Sequence, residues 1–243
     1  MPTAPAADQR RLLVVQDLDA RGQTANHRRA THPSLATIAG LEARARVLGD
    51  DLVTRSTEVS DLKRQVTKAE DDVQSVRSRA QRDAAKLDAG QGSPKDLQAL
   101  QSEIESLAHR QSDLEDVELE LMERLEGAES GLASVKAEVD EVVAGIATAA
   151  TERDAAFAVI DAELAGLTAE RATAVAGLDE GLLALYEKLR ASHGGVGAAA
   201  LHAGGCGGCH VKVDPTSLAE FAASPEDSIL RCDECGRILI REA

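Results

Sequence analysis

Four cysteines in two close pairs are the residues of this sequence best suited to chemistry. Cys206 and Cys209 form the first pair, and Cys232 and Cys235 form the second pair after a separation of 22 residues. Two residues between cysteines allow a tight turn that directs both sulfur atoms to one ion, and a second pair completes a tetrahedral set of four thiolates. The spacing therefore predicts that these four cysteines bind one zinc ion.

A site of four cysteines leaves no open coordination position for water, so the predicted zinc is structural rather than catalytic. Three other interpretations stay open. Residues 206–210 spell C-x-x-C-H, the attachment sequence of c-type haem; one C-x-x-C pair alone is typical of a redox site; and His210 is an alternative ligand in place of one cysteine. His193 and His202 are expected to be surface residues.

Composition limits the fold and the location of the protein. The chain has no tryptophan and three other aromatic residues (Tyr186, Phe157 and Phe221), which cannot furnish a thick globular core. We find no apolar run near the roughly 18 residues that a membrane span needs and no signal peptide, so we expect a cytoplasmic protein. A net charge of -15 argues against a protein whose surface is largely phosphate-binding, because the charge repels nucleic acid. Since the sequence also lacks a phosphate loop and a nucleophile elbow, we expect no enzymatic activity.

Two long segments, Ala45 to Leu87 and Leu97 to Ala149, carry apolar residues at alternating spacings of three and four. This heptad pattern predicts two helices, the second continuing more weakly to Leu189. Residues 88–94 between them contain two glycines and Ser93-Pro94, a pattern typical of a helix end followed by a helix start. The sequence predicts a mainly α protein with a long antiparallel coiled-coil hairpin and its tip at 88–94. Because the pattern cannot choose partners, an intermolecular coiled coil remains the alternative.

The predicted domains are 1–190, which holds the hairpin, and 191–243, which holds a small β zinc ribbon. Pro33 disfavours a helical residue before it, so a short helix near 8–29 is expected to end ahead of the main arm. Helical periodicity ends at residues 193–197, where three glycines indicate a junction. Beyond it, residues 211–213, 228–231 and 237–240 are predicted to be short strands.

The sequence resembles the bacterial C4-type zinc-ribbon proteins that carry a long helical hairpin. The residues that carry the resemblance are 13–18 (Leu-Val-Val-Gln-Asp-Leu), 97–104, 114–119, 186–190 and the two cysteine pairs with Cys235-Gly236-Arg237. It implies a coiled-coil stalk with a zinc ribbon, no enzymatic activity and a role in partner recognition. Members of that family are associated with an alternative sigma factor, RNA, or secretion and flagellar components, and the resemblance does not choose among these attachments.

Two functions follow as hypotheses. The first is a non-enzymatic adaptor that presents the ribbon and the stalk to a protein partner, with a link to transcription by analogy with other zinc ribbons. The second is nucleic-acid binding through the ribbon and the basic N-terminal helix, whose arginines we expect instead to pair with the acidic second arm. Those arginines are Arg10, Arg11, Arg21, Arg28 and Arg29.

Two further features have alternative interpretations. Tyr186 is either a packing anchor between stalk and ribbon or a contact for a partner. Acidic runs such as residues 113–120 are expected to be solvated helix faces rather than catalytic carboxylates.

Overall fold

The computed structural model describes residues 2–241, so Met1, Glu242 and Ala243, which the predicted domains include, lie outside the described residues. Its helices are α1 (Ala6–Ala30), α2 (Pro33–Asp88), α3 (Pro94–Val175), α4 (Glu180–Ser192) and α5 (Pro215–Ala223). The chain divides into two compact units. One comprises Ala36–Ala149, and the other comprises the residues up to Leu35 together with those from Ala150 onward.

The unit of Ala36–Ala149 is a helical hairpin of α2 and α3, as the heptad pattern predicts. Ion pairs link the two helices, and as the residue number rises along α2, the number of its partner on α3 falls. The pairs are Arg44–Glu138 (3.0 Å), Lys63–Glu129 (2.8 Å) and Arg79–Glu103 (2.7 Å). The helices are therefore antiparallel and pair within one chain. Their seam buries small and branched apolar side chains: Val59, Leu62, Val66, Ala69, Val73, Leu107, Val135, Val142 and Ala149.

The turn of the hairpin lies at residues 89–93, between α2 and α3. Gly90 and Gly92 take φ values of 64° and 131°, in the region that favours glycine. Ser93 and Asp96 then cap α3 reciprocally: the Ser93 N–H donates to Asp96 Oδ2 (2.9 Å), and the Asp96 N–H donates to Ser93 Oγ (3.3 Å). Pro94 occupies the first helical position, where its missing N–H costs no hydrogen bond.

In the other unit, α3 ends earlier than the sequence predicts. The expected continuation to Leu189 is wrong, because α3 stops at Val175 and α4 begins at Glu180. Gly177 takes φ of 71° in the intervening turn, and the Asp179 side chain accepts from the Leu182 N–H (2.8 Å) to cap α4. The leucines after the turn keep helical spacing, so the apolar periodicity does not reveal that the helix is broken.

A four-stranded sheet follows α4, with strands β1 (Ala198–His202), β2 (Gly205–Cys206), β3 (Leu230–Arg231) and β4 (Ile238–Arg241) in the order β2-β1-β4-β3. β1 and β4 are parallel, and the other neighbours are antiparallel. The predicted strands 228–231 and 237–240 overlap β3 and β4. The predicted strand 211–213 is wrong, since it contributes one isolated bridge, between Lys212 and Gly205. β1, β2 and α5 were not predicted from the sequence.

The sheet has two apolar faces. On one face, Ala198, Ile238 and Ile240 share a buried cluster with side chains of α1 and α4. On the other face, Ala199 and Leu239 share a second buried cluster with α5 and with the cysteines. The α1 and α4 members of the first cluster are Leu12, Val15, Leu182, Tyr186 and Leu189. The same sheet therefore supports the packing of these helices and the cysteine cluster.

Candidate metal centre

The structure brings together the four cysteines that the sequence predicts as zinc ligands. Cys206 ends β2 and Cys232 follows β3, while Cys209 and Cys235 lie in the turns that come next. All four sulfur atoms lie within 4.8 Å of one another. The Cys206–Cys235 and Cys209–Cys232 sulfur pairs are each 3.9 Å apart.

These distances fit a tetrahedral metal ion. Zinc–sulfur bonds of about 2.3 Å place the sulfurs of a tetrahedral site about 3.8 Å apart, whereas a disulfide needs about 2.05 Å. All four cysteines are free thiols, and two of them are buried. Among residues 2–241, no histidine or carboxylate belongs to this cluster. The donor set is therefore four sulfurs that converge on one point, which suits zinc.

The two C-x-x-C turns have the same pattern of backbone hydrogen bonds. The His210 N–H donates to the Cys206 carbonyl (2.8 Å), and the Gly236 N–H donates to the Cys232 carbonyl (2.7 Å). His210 and Gly236 both have positive φ, at 61° and 71°. Each C-x-x-C segment is thus a closed turn that aims its side chains inward.

Burial and hydrogen bonds shift the pKa values of three of the thiols in different directions. Burial raises the pKa of Cys206, and it raises the pKa of Cys232 to about 12. Burial acts in the same direction on Cys235, but hydrogen bonds from the backbone and side chain of Arg237 and from the Cys232 and Cys209 side chains outweigh it, so the pKa of Cys235 falls to about 6. The thiolate, the form that binds metals, is therefore more favoured at Cys235 than at Cys206 or Cys232.

Arg237 connects the second cysteine turn to the segment after α4. Its Nε donates to the Val196 carbonyl (2.9 Å), and its terminal nitrogen donates to the His193 carbonyl (3.0 Å). His193 in turn contacts the Leu189 carbonyl through Nδ1 (2.9 Å) at the end of α4. His193 is thus a helix-end residue rather than a metal ligand, and His202 and His210 are exposed.

Tyr186 lies beside the sheet and is fully buried, which supports its interpretation as a packing anchor. Its hydroxyl donates to Asp19 Oδ2 (2.7 Å), and Asp19 also accepts from Arg171 Nε (2.6 Å). Gln16, one turn earlier on α1, accepts from the Gly197 N–H (2.8 Å) at the entry to β1. The roles of Asp19 and Gln16 were not predicted from the sequence. Both have helical spacing on the same face of α1 as the buried Leu12, and Gln16 also lies in the segment 13–18 that carries the family resemblance.

The environment of Tyr186 predicts an unusual titration. Burial, together with the hydrogen bond to Asp19, raises the pKa of Tyr186 well above its ordinary value of 10.0. The phenol therefore contributes stability that is fully present below pH 10 and is lost as the pH rises towards its folded pKa. Because this is the chain's single tyrosine and tryptophan is absent, we expect the folded protein to show little tyrosinate absorbance at a pH of about 11.

This titration is measured by near-ultraviolet absorbance with circular dichroism on the same sample, and with urea-unfolded protein as reference. Tyr186→Phe gives the baseline. Full tyrosinate absorbance at that pH, with the helical signal intact, would contradict the burial of the phenol.

The basic N-terminal helix forms contacts that occupy most of its arginines. Arg28 pairs with Glu163, Arg29 pairs with Asp161 (2.9 Å), and Arg21 approaches Asp17 (3.8 Å). Arg11 donates to the carbonyls of the α3 end and its following turn, at Ala174 (3.0 Å) and Ala176 (2.7 Å). Arg10 is exposed. Pairing with the acidic second arm, which the sequence analysis expects, therefore holds for Arg28 and Arg29.

A helical hairpin followed by a four-cysteine sheet domain defines a class of coiled-coil proteins with a C4-type zinc ribbon. The family model of the CT398-like coiled coil hairpin domain matches residues 15–194, and that of the C4-type zinc ribbon domain matches residues 206–239. The chain belongs to this CT398-like family, as its sequence resemblance predicts. Within residues 2–241, no helix is both long and apolar enough to cross a membrane.

Relatives match along nearly the whole chain. An uncharacterized protein of Mycobacterium tuberculosis is 35% identical over 239 residues, which cover 98% of this chain and 97% of that protein. A solved structure from Mycobacterium smegmatis has a TM-score of 0.87 and 33% identity, covering 99% of this chain and 100% of that one. CT398 from Chlamydia trachomatis, with a TM-score of 0.71 and 19% identity over 97% and 98% of the two chains, shares the fold.

Proposed function

We propose that this chain is a non-enzymatic cytoplasmic adaptor, in which one structural zinc ion organises the ribbon and in which ribbon and hairpin present surfaces to a protein partner. The observation that carries the proposal is the convergence of four cysteine sulfurs within 4.8 Å. Four protein ligands complete a tetrahedral zinc site and leave no position for a reacting water molecule. Zinc bound there supplies folding energy rather than catalysis.

The charge and contacts of the ribbon support a protein partner over nucleic acid. Residues 191–243 carry four basic and seven acidic residues. Three of the four basic side chains donate to backbone carbonyls within the domain: Arg231 to Gly236, Arg237 to Val196, and Arg241 to Phe221. Guanidinium groups engaged in this way make a poor phosphate-binding surface.

A capture experiment with a parallel gel shift tests the proposal. We expect zinc-loaded protein to retain a defined protein partner at moderate salt, and we expect protein unfolded by chelation to lose it, since a ribbon surface exists only when the metal is bound. Gel shifts with DNA and RNA should show no complex at low salt, where phosphate contacts are strongest.

Two results would contradict the adaptor role. One is a gel shift whose affinity falls steeply with salt, which would indicate nucleic-acid binding. The other is substrate turnover that survives replacement of all four cysteines. The link to transcription stays a prediction, to be judged from the identity of the captured partner.

A further inference from the structure

A short stretch of α3 within the hairpin unit exposes three large apolar side chains, Val117, Leu119 and Met122, of which the last two share a helix face. Leu119 is 56% exposed and Met122 is 47% exposed, although both belong to a helix whose seam buries other leucines. They are three residues apart and therefore neighbours on one helix surface. Exposed apolar pairs of this kind mark a surface for association when their surroundings select a partner.

Carboxylates surround this apolar pair. On a helix, residues three and four positions away are neighbours, which places Glu115, Asp116 and Glu123 around Leu119. The same rule places Glu118 and Glu126 around Met122. Residues 113–126 contain seven acidic residues and one basic residue, Arg124. We call Leu119, Met122 and these five neighbouring carboxylates the Leu–Met patch.

Within the described part of the chain, most carboxylates of the Leu–Met patch have no lysine or arginine as an ion-pair partner. Glu115 pairs with Arg77 (3.0 Å) across the hairpin. Considering only residues 2–241, the other four patch carboxylates form no ion pair with lysine or arginine. Glu129 and Glu138 pair across the hairpin with Lys63 and Arg44, whereas Glu70 and Asp140 form no ion pair with a lysine or arginine among residues 2–241 and have no exposed leucine or methionine three or four positions away. The patch thus concentrates uncompensated negative charge around exposed apolar surface.

We propose that the Leu–Met patch binds a basic amphipathic helix of a protein partner, an inference that rests on the proposed adaptor function and deepens it. Leu119 and the unbranched, adaptable Met122 would contact the apolar face of that helix. The carboxylates would face its lysines and arginines, which steers association and fixes orientation. The same charge disfavours a nucleic acid and a second copy of this acidic chain.

The patch differs from the other exposed apolar residues of the hairpin. Val47 and Val143 are 69% and 56% exposed, so their exposure is comparable. Val47, however, has Arg44 as well as Asp50 and Asp51 among its helical neighbours, and Asp51 is paired with Arg55. Val143 has Val139, Ile146 and one acidic residue as neighbours. Val47→Ser therefore serves as a matched control for Leu119→Ser, since both replace an exposed apolar side chain and leave the net charge unchanged.

Nuclear magnetic resonance gives a direct test, because the chain has two methionines and the internal one is Met122. Full-length protein labelled with ¹³C in the methionine methyl groups is titrated with a synthetic Lys/Leu amphipathic helix. We expect a saturable shift of the Met122 methyl signal and a binding constant that weakens as salt rises. Leu119→Ser should bind about tenfold more weakly, and Val47→Ser should bind like the unmodified protein.

Any one of three results overturns the patch proposal: no binding of the Lys/Leu helix, binding that leaves the Met122 signal unmoved, or equal affinity for Leu119→Ser. A Glu/Leu helix of the same pattern controls for apolar binding alone and should produce no shift. Circular dichroism confirms that each variant is folded. Metal-dependent capture by the ribbon does not involve these residues, so the adaptor function can stand even where the patch fails.

Discussion

Replacing Cys232 by serine is expected to abolish metal binding and unfold residues 198–241. Cys232 is 3% exposed and shares a buried cluster with Cys206, Phe221 and Leu239, so the loss of one ligand disrupts both the metal site and its surroundings. Apparent zinc-binding energies of about 10–16 kcal/mol are as large as the whole stability of a typical domain. Metal content by mass spectrometry and cleavage by limited proteolysis measure the two effects.

Asp233→Asn is the matched control for this substitution. Asp233 lies in the same turn, is exposed and belongs to no metal-binding group among the described residues. The control should keep one zinc ion per chain and remain resistant to protease. A Cys232→Ser protein with the same metal content and resistance would show that the four cysteines do not act as one site.

Replacing Tyr186 by alanine is the second substitution for which we expect a large effect. Its side chain has no exposed surface and packs with Leu12, Leu182 and Ile238 where the sheet meets α1 and α4. Truncation of a buried aromatic residue costs about 3–5 kcal/mol, and here it also removes the hydroxyl that donates to Asp19. Urea unfolding should therefore show a markedly lower midpoint.

Two other variants serve as comparisons, one that separates packing from hydrogen bonding at position 186 and one at an exposed position. Tyr186→Phe keeps the ring and removes the hydroxyl, so it should cost about 1.5–3 kcal/mol, the range for a hydrogen bond to a charged group; Asp19 keeps its bonds from Arg171. Val159→Ala, at a residue that is 70% exposed, should leave the midpoint unchanged. If Tyr186→Ala unfolded at the same urea concentration as the unmodified protein, the packing of the sheet on α1 and α4 would be refuted.

The sequence predicts the features that depend on local chemistry. The heptad seam, the turn at residues 88–94 and the break before Pro33 all follow from spacing or from the conformational limits of glycine and proline. The four cysteines are also predicted correctly as a cluster, because the spacing of metal ligands can be recognised without knowing the surrounding strands. Their convergence in the structure depends on strand pairing that no short sequence segment encodes.

The features that the sequence does not predict are decided by tertiary contacts. β1 begins with three alanines, which show no alternation, and it becomes a strand because it pairs in parallel with β4, about forty residues later. α3 ends at Val175 although the leucine spacing continues, because the Gly177 turn and the Asp179 cap are stabilised by contacts such as the Asp179 N–H with Asp8 (3.1 Å). Asp19 is an ordinary helix-surface residue by sequence, and its role depends on Tyr186 and Arg171, far along the chain.

The two-faced sheet links the metal to the helices beside it. Ala199 and Leu239 face the cysteine cluster, whereas the adjacent Ala198 and Ile238 face α1 and α4. Successive residues of a strand alternate between faces, so disorder in these strands would remove support from both clusters at once. Loss of zinc should therefore expose Tyr186 as well as the cysteines.

Hydrogen–deuterium exchange of the full chain, with zinc bound and after chelation, tests the central claim that four thiolates and one ion order the ribbon. The account predicts slow exchange of the β1 and β4 amides with one zinc ion per chain, and fast exchange of the same amides after chelation, while Ala36–Ala149 stays protected. Protein that is free of metal and yet keeps slow exchange in β1 and β4 would contradict it.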